Sequence, residues 1–161
     1  IAGLKAAGYR VAAVKHDAHR FEIDHPGKDS YRFSAAGADT TVISSRDKTA
    51  VVLRHREEIP LASILSRFAG EADVVLAEGY KGSPFPKIEV HRKAAGDPLL
   101  HPAPAGLIAV ATDEDLDAAV PRLDLNDPPA VVAFLRERIL GGGRRADSGP
   151  ASSVRTGRRV R

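Results

Sequence analysis

The apolar positions along the chain fall into two kinds of segment that alternate. Tyr9–Lys15 (YRVAAVK), Asp73–Ala77 (DVVLA) and Leu107–Thr112 (LIAVAT) are short continuous apolar runs, the pattern of strands buried on both faces. Between them the spacing turns helical. IAGLKAA reads as the last turns of a helix closed by Gly8, and DSYRFSAAGA, from Asp29, as a short helix ending near Gly37. PLASILSRFA (Pro60–Ala69) opens with Pro in its first turn and stops at Gly70, and PAVVAFLRERIL (Pro129–Leu140) is an amphipathic helix closed by GGG. Two β-branched runs, Asp39–Ser44 and Thr49–Arg54, flank SRDK and predict a hairpin. Lys87–His91 alternates as a strand does, a Pro-rich loop DPLLHPAPAG follows it, and Pro121–Leu125 adds a short strand. Strands alternating with helices predict an α/β domain with a mainly parallel sheet, to which the hairpin is an antiparallel addition.

Composition narrows this little: 43% hydrophobic and 28% charged residues describe an ordinary globular chain. No apolar run nears the roughly 20 residues that span a bilayer, so no membrane partner is expected. No cysteine is present, which excludes disulfides, thiolate metal sites and a Cys nucleophile. A cytoplasmic location is the simplest expectation. The net charge of +3 is unevenly placed: residues 141–161 hold six Arg and one Asp, so the other 140 carry −2. That tail is expected to be a disordered basic extension, with no nucleic-acid role assigned to it. The chain opens on Ile1, in mid-helix, and the expectation is a domain over 1–140 that is incomplete at its N-terminus.

Candidate chemistry gathers at strand ends, where open α/β sheets bind ligands. Three predicted strands run into Lys15-His16-Asp17, Glu78-Gly79-Tyr80-Lys81 and Thr112-Asp113-Glu114. An apolar strand ending in an acid, as at Glu78, can orient Mg²⁺ or water around phosphates. Gly79 permits close backbone approach. KHDAHRFEIDHPGKDSYRF is dense in charge: His16, His19 and Asp24 are possible ligands for Zn²⁺ or Ni²⁺. Gly27-Lys28-Asp29-Ser30 lacks the upstream glycine of a phosphate-binding loop, and Lys28 is followed by Asp, so it is not a Walker A sequence. Asp29 and Ser30 are good helix caps, and the same groups suit an anion.

In order, KHDAHRFEIDHPGKDSYRFSAAGA, DVVLAEGYKGSPFPKIEVHR and AVATDE resemble the MobB family, molybdopterin-guanine dinucleotide biosynthesis protein B. The resemblance implies a P-loop NTPase-like α/β fold and a dimeric GTP-binding accessory protein that uses GTP and Mg²⁺. It implies help in attaching GMP to molybdopterin, with a MobA-type molybdenum cofactor guanylyltransferase and the cofactor itself as partners. Carried over, it makes Asp17, Asp24 and Glu78 the carboxylates of slow GTP hydrolysis, with Asp24 and Glu78 on the metal. His16, His19, Gly27, Lys28, Asp29, Ser30, Gly79 and Lys81 would face the phosphates, and Thr112 and Asp113 the guanine. The first strand and P-loop of that fold are missing from these 161 residues, so this chain alone is expected to bind GTP weakly or not at all. Two other readings stand beside it: a non-enzymatic module that docks a transferase, and a metallochaperone-type GTPase using His16, His19 and His25.

Overall fold

The structure, a computed structural model, describes residues 1–17, 21–96, 98–99 and 105–142. His19, part of the Pro-rich loop and the tail beyond residue 142 lie outside the described residues. In chain order the elements are α1 (Ala2–Ala6), β1 (Val11–Lys15), α2 (Asp29–Ala35), β2 (Thr40–Ser44), β3 (Thr49–Leu53), α3 (Leu61–Phe68), β4 (Val74–Glu78), β5 (Lys87–His91), a 3₁₀ turn (Lys93–Ala95), β6 (Leu107–Thr112), β7 (Arg122–Asp124) and α4 (Pro128–Arg138). The chain divides into two compact units: Ile1–Ala12, Glu71–Leu76 and Lys81 onward form one, and Ala13–Gly70 with Ala77–Tyr80 the other.

The first unit is built around β6, which lies parallel between β5 and β7. Ala109, Val110, Ala111 and Thr112 are all buried, as the continuous apolar run requires of a central strand. Among the described residues Leu4 of α1 is, with Val110, a fully buried large side chain. At the contact of α1 with α4, a Cβ on Gly3 would stand 2.9 Å from Val132 Cγ2, so the absent side chain is what lets the helices meet. A signal overlooked in the sequence starts α4 one residue earlier than expected: Asp127 accepts the Ala130 N–H through its side chain at 3.1 Å, with Pro128-Pro129 in the first turn. Arg10 brackets the entry to β4, donating to both carboxylate oxygens of Asp73 and to Glu71 at 3.0 Å. These carboxylates raise the already high Arg10 pKa.

In the second unit β2 and β3 pair antiparallel, with Val42 opposite Val51 and Ser44 opposite Thr49. The hairpin forms a two-stranded sheet of its own rather than bonding to the parallel strands as expected. It leans instead on α2: Thr41 is buried with its hydroxyl 3.1 Å from Ser34, and Arg54 donates to Ser34 O at 2.6 Å. Two expected caps also moved. Lys28 occupies the N-cap of α2, with no side-chain cap bond, and Pro60 sits at the N-cap of α3 rather than inside its first turn. β1 and β4 pair with each other, but are half-buried where the sequence predicted full burial. Among the described residues each has a single hydrogen-bonded strand neighbour, which leaves an apolar run partly open.

Candidate functional site

The second unit carries two of the expected groups. At the ends of β1 and β4, His16 donates its N–H to Glu78 O at 2.9 Å. Its ring lies against Tyr80, with centroids 5.1 Å apart and planes tilted by 47°. Nε2 of His16 is 3.0 Å from Glu58 Oε1, an interaction the sequence did not announce. The Glu78 carboxylate pairs with Lys15 at 3.4 Å, and both side chains are well exposed. Gly79 has φ +91°, and the backbone that approaches it is the protein's own, at His16 O. Asp17 follows, exposed.

The other group surrounds the turn into α2. Asp24 accepts the Ser30 hydroxyl and the His25 N–H, the latter at 2.9 Å, and these bonds lower its pKa with help from His25 and Lys28. Ser30 thus serves Asp24 rather than capping the helix. Asp29 faces Arg32 at 3.4 Å, and Gly27 and Lys28 are exposed at the turn. His19 lies outside the described residues.

Lys81, Thr112 and Asp113 belong to the first unit. Lys81 is exposed. Thr112 is buried, and its hydroxyl accepts the Glu114 N–H at 3.2 Å. Asp113, expected to read guanine, has both oxygens engaged: Oδ1 by the Lys93 N–H at 2.7 Å and Oδ2 by Arg92 at 3.4 Å. A guanine would have to share this carboxylate with them. Beside it, His91 Nε2 meets Glu114 Oε1 at 2.8 Å, with Lys93 Nζ 3.5 Å from Oε2. The sequence reading gave His91 and Glu114 no role, although KIEVH placed His91 on the polar face at the end of β5. Among the described residues no three His, Cys, Asp or Glu are grouped to hold a metal ion.

The Lys93 N–H holds Asp113 below the usual carboxylate range, with Arg92 assisting, and the His91 bond does the same for Glu114. Carboxylates with depressed folded pKa values add stability above their unfolded values of about 4 and lose it as pH falls through the folded ones. The urea midpoint is therefore expected to fall on acidification below about pH 4. Glu114→Gln should flatten that fall in urea titrations run across the acid range. An unchanged slope would remove Glu114 from the account.

The family model described as MobB, Molybdopterin guanine dinucleotide synthesis protein B, matches residues 1–113. The chain belongs to the MobB family. The molybdopterin-guanine dinucleotide biosynthesis adapter protein of Escherichia coli (strain K12) is 36% identical over 141 residues, covering 85% of this chain and 81% of that protein. The adapter protein of the same name from Haemophilus influenzae is 32% identical over 133 residues, covering 82% and 74%. Among solved structures, a crystal structure of molybdopterin-guanine biosynthesis protein B superposes with a TM-score of 0.66 at 26% identity, over 83% of this chain and 84% of that one. A MobB homologue from Bacillus stearothermophilus gives 0.60 at 27%, over 84% and 83%. The MobB fold accounts for the α/β elements, the parallel strands and the antiparallel pair read from the sequence. No described helix is long and apolar enough to cross a membrane.

Proposed function

We propose that this MobB-family chain is an adapter in molybdenum cofactor biosynthesis that works beside a MobA-type guanylyltransferase and faces the phosphates of GTP. One observation carries the reading: kinship over most of the chain with proteins named as molybdopterin-guanine dinucleotide biosynthesis adapters. In the second unit, the ends of β1 and β4 supply His16, Asp17, Glu78 and Gly79, and the turn into α2 supplies Asp24, Lys28 and Ser30. His16 and Lys28 suit phosphate oxygens. Glu78 and Asp24 suit a hydrated Mg²⁺, which takes one or two carboxylates beside the phosphates and would neutralise their charge. Both carboxylates already have partners, Lys15 for Glu78 and Ser30 for Asp24, so metal binding would compete with these bonds. The 161 residues contain no Gly-x-x-x-x-Gly-Lys-[Ser/Thr] run, so they supply no backbone cradle of that type and GTP affinity is expected to be low. A cytoplasmic homodimer completes the proposal.

The test is reconstitution. Adding the purified chain to a MobA-type transferase, molybdopterin cofactor and Mg²⁺·GTP should raise the yield of guanylated cofactor. Asp24→Ala or Glu78→Ala should reduce that gain while co-purification with the transferase persists. No gain and no co-purification would defeat the adapter reading.

A docking module that uses no nucleotide is the second reading. It is favoured by the outer hairpin face, where the opposed Val42 and Val51 are 57% and 44% exposed. Transferase capture without nucleotide, together with stimulation that survives both Asp24→Ala and Glu78→Ala, would select it.

A further inference from the structure

Glu58 lies between β3 and α3, far in sequence from either strand end, yet its Oε1 is 3.0 Å from His16 Nε2. Tyr80 limits one side of the same ring, and Gly79 lies so close to His16 that a Cβ there would stand 2.8 Å from His16 O. His16 is therefore held within one compact unit by its backbone N–H and, at the ring, by Nε2 and one face. An ion pair this open is worth little to stability, since Glu58 is 70% and His16 33% exposed. Its consequence is directional. A histidine whose Nε2–H is taken by a carboxylate has only Nδ1 left for chemistry, and the partner of one nitrogen sets the role of the other.

We propose that Glu58 is a positioning residue: it holds the His16 ring through Nε2 and so assigns Nδ1 to a phosphate-bearing ligand at the ends of β1 and β4. The proposal rests on the nucleotide reading above and adds a residue to it. A phosphate oxygen only accepts, so it would meet an N–H at Nδ1 while Glu58 accepts from Nε2. Lys15 and Glu78, at the same strand ends, are paired with each other at 3.4 Å.

Long-range ¹H–¹⁵N spectra of the purified chain report protonation at each imidazole nitrogen, with His16→Gln to assign the signal. In the free wild type, Nε2 of His16 should be protonated, and Mg²⁺·GTP added to millimolar levels should move the Nδ1 resonance. Glu58→Ala should move the Nε2 resonance of His16, as its hydrogen bond is lost, and weaken GTP binding about tenfold, the lower end of the worth of one hydrogen bond to a charged group. Its urea midpoint should stay unchanged. Glu58→Gln, which still accepts at Oε1, should return the Nε2 resonance toward its wild-type position. An Nε2 resonance and a GTP affinity that both stay at wild-type values in Glu58→Ala overturn the proposal. An Nε2 resonance that responds to Glu58→Ala in a chain that shows no response to Mg²⁺·GTP leaves Glu58 holding the ring and defeats the nucleotide reading instead, and the ligand assignment falls with it.

Discussion

Replacing Gly79 with Ala should lower folding stability by at least about 2 kcal/mol, because a left-handed conformation alone costs an L-residue roughly 1–2 kcal/mol. Crowding adds to this. A Cβ at Gly79, where φ is +91°, would lie 2.8 Å from His16 O and 3.3 Å from His16 Cβ. Those atoms have little freedom to retreat, since the His16 N–H is tied to Glu78 O at 2.9 Å and its ring to Glu58. Gly82→Ala is the matched control: nothing lies within 4 Å of its built Cβ, and its effect should stay within about 0.5 kcal/mol. Urea midpoints of the two variants decide the matter. Equal midpoints would mean that the ends of β1 and β4 have slack and that the contact at Gly79 holds nothing in place. The expected difference would also show what the glycine is for. Its close approach is to the protein's own strand end, and a ligand meets a site already fixed by that contact.

The fold was largely legible because its signals are local. VVLA and LIAVAT declare strands by continuity, and TVIS–SRDK–TAVVL declares a hairpin by β-branching around polar turn residues. What the sequence could not show was partnership. The hairpin pattern is the same whether it joins a larger sheet or leans on α2 through Thr41 and Ser34, as it does here. The apolar run of β4 likewise carries no record of how many strands flank it. The candidate site divides in the same way. His16, Glu78 and Gly79 were found because chemistry at strand ends is a property of position. Glu58 and His91 were passed over, and Glu114 was named at a strand end without its partner, because each acts through a residue distant in sequence: 42 positions separate His16 from Glu58, and His91 meets Glu114 across 23. Ser30 misled for a related reason. Its hydroxyl suits a cap or a carboxylate equally well, and only the fold of the preceding turn brings Asp24 to it.

Lys87→Met is expected to lower stability by about 1.5–3 kcal/mol, the range for hydrogen bonds to a charged group. Lys87 opens β5, and its ammonium donates to three backbone carbonyls, those of Ser83, Phe85 (3.2 Å) and Ala105 (2.6 Å). The segment it gathers contains Pro84 and Pro86, which have no N–H to offer a neighbouring carbonyl. An ammonium with three donors fills that need, and methionine keeps the length while removing all of them. Arginine should recover only part of the loss, because its planar fork suits carboxylates better than three converging carbonyls. The second consequence concerns register. Pairing of β5 with β6 is irregular between Lys87 and Ile88, and the Lys87 N–H bonds Gly106 O at 2.8 Å just before β6 begins. Gly106 itself admits no side chain: its φ is +80°, and a Cβ would stand 2.7 Å from Phe85 O. A strand with its start untied is free to slip, and a slip of one residue moves His91 to the opposite face, away from Glu114. The urea midpoint of Lys87→Met should therefore drop, and the flattening of the acid limb by Glu114→Gln should vanish in the Lys87→Met background. If Glu114→Gln flattens both backgrounds alike, the ammonium holds the loop alone and the register of β5 is set by its pairing with β6.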